Sequence, residues 1–212
     1  MKNALVIVFI PIFYSCIKDK PQIIAAPDVE LSTSPKVYTV NEGNFMSGNA
    51  SVSLYDPGTD QVIQDVYLAQ NGSGAGDVAQ SISRYNDRFY LVMNNSSKVL
   101  VCDRNMKKTG QVSGLASPRY FLPVSYSKAY VSDLYADEVS VIRLSDHIKT
   151  GRIPCKGWTE QMVSLFGKVF ITNMKRDLLF VVDPVTDTKK DSITVGPFAG
   201  SICVDQQDKI WV

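Results

Sequence analysis

The sequence predicts an all-β chain built from recurring four-stranded antiparallel units, and three observations carry that prediction. Apolar and polar residues alternate in short runs, the same turn residues return at fixed intervals, and a second apolar signature returns in step with them. Composition agrees: 212 residues, 45% hydrophobic and 10% aromatic, with 13 Gly and 10 Pro, suit a strand-rich, turn-rich chain. With 22 basic against 21 acidic residues the formal charge is +1, so no basic field exists to hold a phosphate backbone and nucleic acid is not an expected partner.

Residues 1–15 read as a secretory leader: Lys2, an apolar run from Ala4 to Tyr14, then Ser15. The run is shorter than the roughly 20 apolar residues that span a bilayer. Phe13-Tyr14-Ser15-Cys16 resembles a bacterial lipobox, in which cleavage precedes a lipidated cysteine, although Tyr14 stands where a small or aliphatic residue is usual. The plainer alternative is an ordinary signal peptide followed by a coincidental Cys16. Residues 16–35 carry Lys-Asp-Lys and three prolines without sustained period and read as a tether.

From residue 36 to 212 the repeat takes over. Segments beginning at Ser51, Lys98, Glu138 and Leu178 each hold a strand, a polar turn and a second strand, and their turns open at Asp56, Asp103, Arg143 and Asp183, spaced 47, 40 and 40. Upstream strands begin at Lys36, Arg88, Lys128, Lys168 and Lys209, the last four separated by 40, 40 and 41. A further strand precedes these at 78–85, 120–126, 161–166 and 200–204. Four short strands in about 40 residues is the arithmetic of a β-propeller blade. A sandwich or an up-and-down barrel also spaces strands evenly, but neither predicts one four-strand signature recurring in register. About four to four and a half blades of an expected seven are present. The chain stops within a second strand at Val212, and the first unit lacks an inner strand before Lys36, so the expectation is the N-terminal part of a larger propeller.

With strands labelled A to D from the axis outward, antiparallel connectivity gathers the B-to-C and D-to-A loops on one face. This first face should collect Asn41, Glu42, Asn44 and Phe45, then Asn71, Asn94, Arg119, Tyr120 and Tyr135, and finally Trp158, Asn173, Arg176 and Phe198. Amides, aromatic rings and arginines converging on a central mouth suit ligand binding, whereas the opposite face collects mostly tight turns. The bland reading is that Asn and Gly are turn formers and that Trp158 and Phe198 seal the core.

Catalysis has little support. His147, the one histidine, falls in a polar C-to-D turn and is expected to be solvated. Asp56 and Asp183 read as turn acids, and no nucleophile-base pair, metal-ligand cluster or cofactor motif is present. Gly72 to Gly76 has no following helix and reads as a flexible loop rather than a phosphate cradle. Beyond the leader, Cys102, Cys155 and Cys203 read as small buried core residues.

Val139-Ser140-Val141-Ile142 and Phe170-Ile171-Thr172-Asn173 resemble the repeats of the YVTN/YncE group of propellers, with Arg143 where Asp is usual. Asn41-Glu42-Gly43-Asn44-Phe45, Ala69-Gln70-Asn71-Gly72 and Gly76-Asp77 resemble more closely the DUF5074-like surface lipoproteins of Bacteroidetes type, a group that includes BtuG-like cobalamin-capturing proteins. The resemblance implies a non-enzymatic, lipid-anchored outer-membrane propeller at the cell surface, passing a corrinoid to a TonB-dependent transporter. A protein- or glycan-interaction propeller is the first alternative, and a polysaccharide-active enzyme the second.

Overall fold

The computed structural model describes residues 35–212; the leader, Cys16 and the tether up to residue 34 lie outside the described residues. Three complete blades have their four strands hydrogen-bonded antiparallel in chain order. They are β4 (Ala79–Tyr85), β5 (Arg88–Met93), β6 (Lys98–Cys102) and β7 (Lys108–Val112); β8 (Pro118–Pro123), β9 (Lys128–Asp133), β10 (Glu138–Arg143) and β11 (Ile148–Pro154); and β12 (Thr159–Leu165), β13 (Lys168–Asn173), β14 (Leu178–Asp183) and β15 (Thr188–Thr194). Before them stands a three-stranded sheet of β1 (Val37–Asn41), β2 (Ser51–Asp56) and β3 (Gln61–Ile63), and after them the pair β16 (Cys203–Val204) and β17 (Ile210–Trp211). The expected blade order is present, and among the described residues the first sheet has three strands.

Burial explains why the second and third strands of a blade read as continuous apolar runs. A strand sends alternate side chains to opposite faces, and here both faces are covered by neighbouring blades. Along β5, Phe89, Leu91 and Met93 pack into the core shared with the first sheet, while Tyr90 and Val92 enter the next core with Phe121 and Ile142. Tyr130 and Phe180 fill the core between the third and fourth blades. The outermost strand β15 is exposed at every residue, as expected of an edge whose side chains face water.

An aromatic residue occupies the third position of every upstream strand signature: Tyr38, Tyr90, Tyr130, Phe170 and Trp211. Two of them reach the C-to-D turn of the following blade at the same repeat position. The Tyr130 hydroxyl donates to Asp187, which also accepts from Lys128 Nζ at 2.7 Å. One blade earlier, Tyr90 meets His147 edge-on at 6.3 Å between centroids.

His147 is therefore not solvated as expected. It is half-buried between blades, 3.2 Å from the Arg88 guanidinium, and so close to Gly110 that a Cβ there would lie 2.9 Å from its Nδ1. Burial first, and the Arg88 charge second, hold its pKa below the usual 6.5. The unfolded chain thus binds the proton better, and this contribution to stability is lost as pH falls from about 6.5 through the depressed folded value. A thermal midpoint followed across that range should show the loss, and His147→Gln should remove that component; an identical pH profile in the variant would refute it.

Two further expectations are corrected. Cys102 and Cys155 are buried free thiols, pushed up to about 12 by burial, but Cys203 is exposed because β16 is covered by only one partner strand. The glycine-rich segment follows a short helix, α1 (Val66–Asn71), and is pinned rather than free. Ala75 is buried, Ala50 N–H donates to the Gly76 carbonyl at 3.2 Å, and Asp77 N–H donates to Ser96 Oγ at 2.8 Å.

Candidate functional site: the convergent loop face and its axial residues

The loops of the first face are cross-linked by a motif that repeats with the blades. Cys155 N–H donates to the Asp137 carbonyl at 3.0 Å, and Val195 N–H donates to the Asp177 carbonyl at 3.0 Å. The same two acids accept from the loop backbone, Asp137 Oδ1 from Gly157 N–H at 2.8 Å and Asp177 Oδ1 from Phe198 N–H at 3.2 Å. At the end of β9, buried Asp133 accepts four backbone N–H groups, from Ala116 and Ser117 on Oδ2 and from Tyr135 and Ala136 on Oδ1, at 2.9 to 3.1 Å. Four donors satisfy the lone pairs of a carboxylate that burial would otherwise penalise heavily.

Several expected ligand contacts hold this scaffold together instead. Asn173 is fully buried, donates to the Lys156 carbonyl at 3.0 Å, and lies so close to Gly157 (φ +115°) that a Cβ there would be 2.5 Å from its Oδ1. Asn94 donates to Ser117 Oγ and the Pro118 carbonyl, tying its turn to the start of β8. Asn71 is not on the first face: α1 carries it to the C-to-D turn of the next blade, where it donates to the Met106 carbonyl and accepts from Lys108 N–H, both at 2.8 Å. Asn41 donates to Ser51 and Ser53 across its own sheet, at 3.0 Å each. The segment with Glu42, Asn44 and Phe45 is exposed, Phe45 at 68%, and Asn49 Oδ1 shapes it by accepting from Asn44 N–H.

Arg119 and Tyr120 belong to strand β8 rather than to a loop. Proline is tolerated as a strand's first residue, so Pro118 does not mark a turn here. Each complete inner strand carries a bulge just after its first residue, between Ala79 and Ser81, Pro118 and Phe121, and Thr159 and Met162. By register, Gln80, Arg119 and Glu160 take the same repeat position on three neighbouring inner strands. There Arg119 Nε donates to both Glu160 oxygens at 3.0 and 2.8 Å, and its Nη1 donates to Gln80 Oε1. Burial holds the Glu160 pKa above its usual value, with Arg119 pulling the other way. Tyr120 lies beside the core between the third and fourth blades, and its hydroxyl accepts from Gln161 Nε2 at 3.4 Å.

Beside this axial row the later loops present rings. Tyr135, 68% exposed, meets half-buried Trp158 nearly perpendicularly at 6.4 Å between centroids. Lys175 Nζ stands 5.3 Å from the centre of the Trp158 ring, within cation–π range. Arg176 is exposed on the same B-to-C loop, and Phe198 is 77% exposed in the next loop.

Gln80 is the residue that sequence reasoning missed; Asp133, Glu160 and Lys175 fall in loops read as part of the first face but were not among its expected ligand contacts. On the opposite face the tight turns are as expected, and Tyr126 and Phe166 stand exposed in its A-to-B turns, Phe166 with φ +49°. A left-handed aromatic residue in a two-residue turn is an unusual conformation to retain. A cleft of about 520 Å³ along Phe170, Val181 and Ile193 is the side of the fourth blade turned away from the third, not the convergent mouth. Among the described residues no group of three or more His, Cys, Asp or Glu could hold a metal, and no helix is long and apolar enough to cross a membrane.

Antiparallel four-stranded blades with neighbouring inner strands define a β-propeller. The profile of the family described as "Domain of unknown function (DUF5074)" matches residues 36–212, and the chain belongs to that family. Among solved structures it is similar to the Myceliophteria thermophila Cps50 (Swd1) β-propeller domain, at 13% identity and TM-score 0.61, covering 76% of this chain and 54% of that one. The WD40 β-propeller domain of Doa1 aligns at 11% identity and TM-score 0.59, covering 78% and 57%. Kuenenia stuttgartiensis hydrazine synthase aligns at 18% identity and TM-score 0.53, covering 58% and 37%. The chain thus spans between 37% and 57% of these structures, and at such identities the likeness shows the fold alone. No curated protein matches the sequence.

Proposed function

We propose that this chain is a non-enzymatic ligand-binding propeller whose first face captures a flat, amide-edged molecule, a corrinoid in the sharpest form. The observation that carries the reading is the cross-linked loop scaffold presenting Tyr135 and Trp158 beside the axial Gln80, Arg119 and Glu160. Rings supply a flat contact surface, and a few oriented polar groups supply direction. The lipobox-like Phe13-Tyr14-Ser15-Cys16 supports a lipid-anchored position on the outer membrane, at the cell surface, with a TonB-dependent transporter as the receiving partner.

Titration of the full chain with cyanocobalamin, read by corrin absorbance and thermal midpoint, tests the ligand. Saturable binding in the micromolar range or tighter, weakened at least about tenfold by Trp158→Ala, is expected. No change at micromolar ligand overturns the corrinoid assignment, and binding that Trp158→Ala leaves intact overturns the site.

The exposed Phe45-Met46 pair favours a second reading, a protein- or glycan-interaction propeller at the surface, because adjacent apolar side chains left in water mark contact surfaces. Retention of a partner by the chain, lost on Phe45→Ser with Met46→Ser and unaffected by Trp158→Ala, would select it.

A further inference from the structure

Around Trp158 the first face carries cations without acidic partners. Among the described residues Lys156, Lys175 and Arg176 make no ion pair, and all three are exposed. Their two loops are held side by side by the backbone. The Lys156 carbonyl accepts from Asn173 Nδ2 at 3.0 Å, the Trp158 carbonyl accepts from Met174 N–H at 3.0 Å, and Arg176 N–H donates to the Asn173 carbonyl at 3.3 Å. The nearby acids, Asp137 and Asp177, each have one oxygen bonded to loop backbone, at Gly157 and Phe198. Lys175 does not extend away into water but stands over the indole.

An unpaired ammonium held on an aromatic surface pairs the two contacts that a charged ring requires. Its flat side meets one of the two perpendicular rings and its edge the other, and its anionic group meets the ammonium or the planar fork of Arg176. The axial arginine offers no equivalent charge, since Glu160 neutralises Arg119. Anionic recognition on this face therefore concentrates at the Trp158 end rather than at the axis.

We propose that Tyr135, Trp158 and Lys175, flanked by Lys156 and Arg176, form a subsite for an anionic group, carboxylate or phosphate, borne on a ring. The proposal rests on the ligand-binding reading of the first face and specifies the chemistry of one end of the ligand.

Its test uses the full chain and two pairs of probes, digalacturonate against neutral digalactose for a carboxylated sugar and adenosine monophosphate against adenosine for a phosphate. The anionic member of at least one pair should bind more tightly, and which pair responds identifies the source. Lys156→Gln, Lys175→Gln and Arg176→Gln combined should weaken that binding about thirtyfold at about 0.05 M salt and only a few-fold at about 0.5 M, where exposed charges are screened. An unchanged melting midpoint would show the combined variant to be folded, as three exposed substitutions should leave it.

Equal binding of charged and neutral probes, or no binding of either anion, overturns the subsite. So does binding that Trp158→Ala abolishes while the combined variant retains it, and in that case the ligand-binding face survives without its charge preference. Probe binding that neither variant alters places the ligand elsewhere and overturns both.

Discussion

Asp133→Ala should destabilise the fold by about 3 kcal/mol or more, although Asp133 is not itself among the expected ligand positions and reaches one of them, Tyr135, only through its backbone N–H. Removing the carboxylate leaves the backbone N–H groups of Ala116, Ser117, Tyr135 and Ala136 without their acceptor, at about 1 kcal/mol or more for each that water does not reach. The Asp133 N–H donates to Thr159 Oγ1 at 2.9 Å, and that hydroxyl donates back to the Asp133 carbonyl at 2.8 Å, so the loosened loops also adjoin the next inner strand. Denaturant midpoints at constant slope would measure the loss. Asp133→Asn should fall between the two, because an amide keeps one acceptor oxygen and turns donors toward the other pair of N–H groups. A cost below about 1 kcal/mol for Asp133→Ala would mean that the four donors find other acceptors.

The second large effect belongs to Arg119. Arg119→Ala strands the Glu160 carboxyl, whose side chain is 5% exposed, so the expected cost is about 2 to 3 kcal/mol near pH 8, somewhat below a fully buried pair because Arg119 itself is 20% exposed. The pH dependence identifies the cause. Glu160 already has a folded pKa above its usual 4.5, so the native state holds that proton more tightly than the unfolded chain. Its contribution to stability therefore declines as pH rises from about 4.5 through the raised folded value. Without Arg119 that value climbs and the declining range extends upward. The difference between variant and parent should be small near pH 4 and should grow toward pH 8. Adding Glu160→Gln to Arg119→Ala should recover most of the loss. A cost independent of pH would assign Arg119 a packing role instead. A drop in ligand affinity on removing Arg119 thus reports on the site only after this stability change is measured.

The blade order was legible because burial on both faces writes the second and third strands as apolar runs, and each Asp-Pro or Asn-Asp turn marks a fixed place in the unit. The inner strands were harder to read. One extra residue at Gln80, Arg119 or Glu160 breaks the two-residue alternation without altering composition, so Arg119 and Glu160 both read as parts of loops rather than of inner strands. Helix α1 has six residues, too few for a 3.6-residue period to declare itself, and it is what moves Asn71 to the other face. His147 reads as solvated because its cover is supplied by Gly110, in another blade and 37 residues earlier. The rings of the first face were foreseeable, since Tyr135, Trp158 and Phe198 lie in loops whose side is set by strand parity alone. Which amides work as braces was not, because Asn94 and Asn173 find their acceptors in separate loops.

The recurrent bulge gives each complete blade one side chain in an equivalent slot of its inner strand. The strand register around it is set by other residues, so an amide, a guanidinium and a carboxylate occupy successive copies of one slot on the same frame, each bonded to its neighbour in the row. The lining of the axis is in that sense a short alphabet read around a circle. A change in that slot alters what lines the mouth, and it leaves the scaffold as it is only where the neighbouring copy is changed to match.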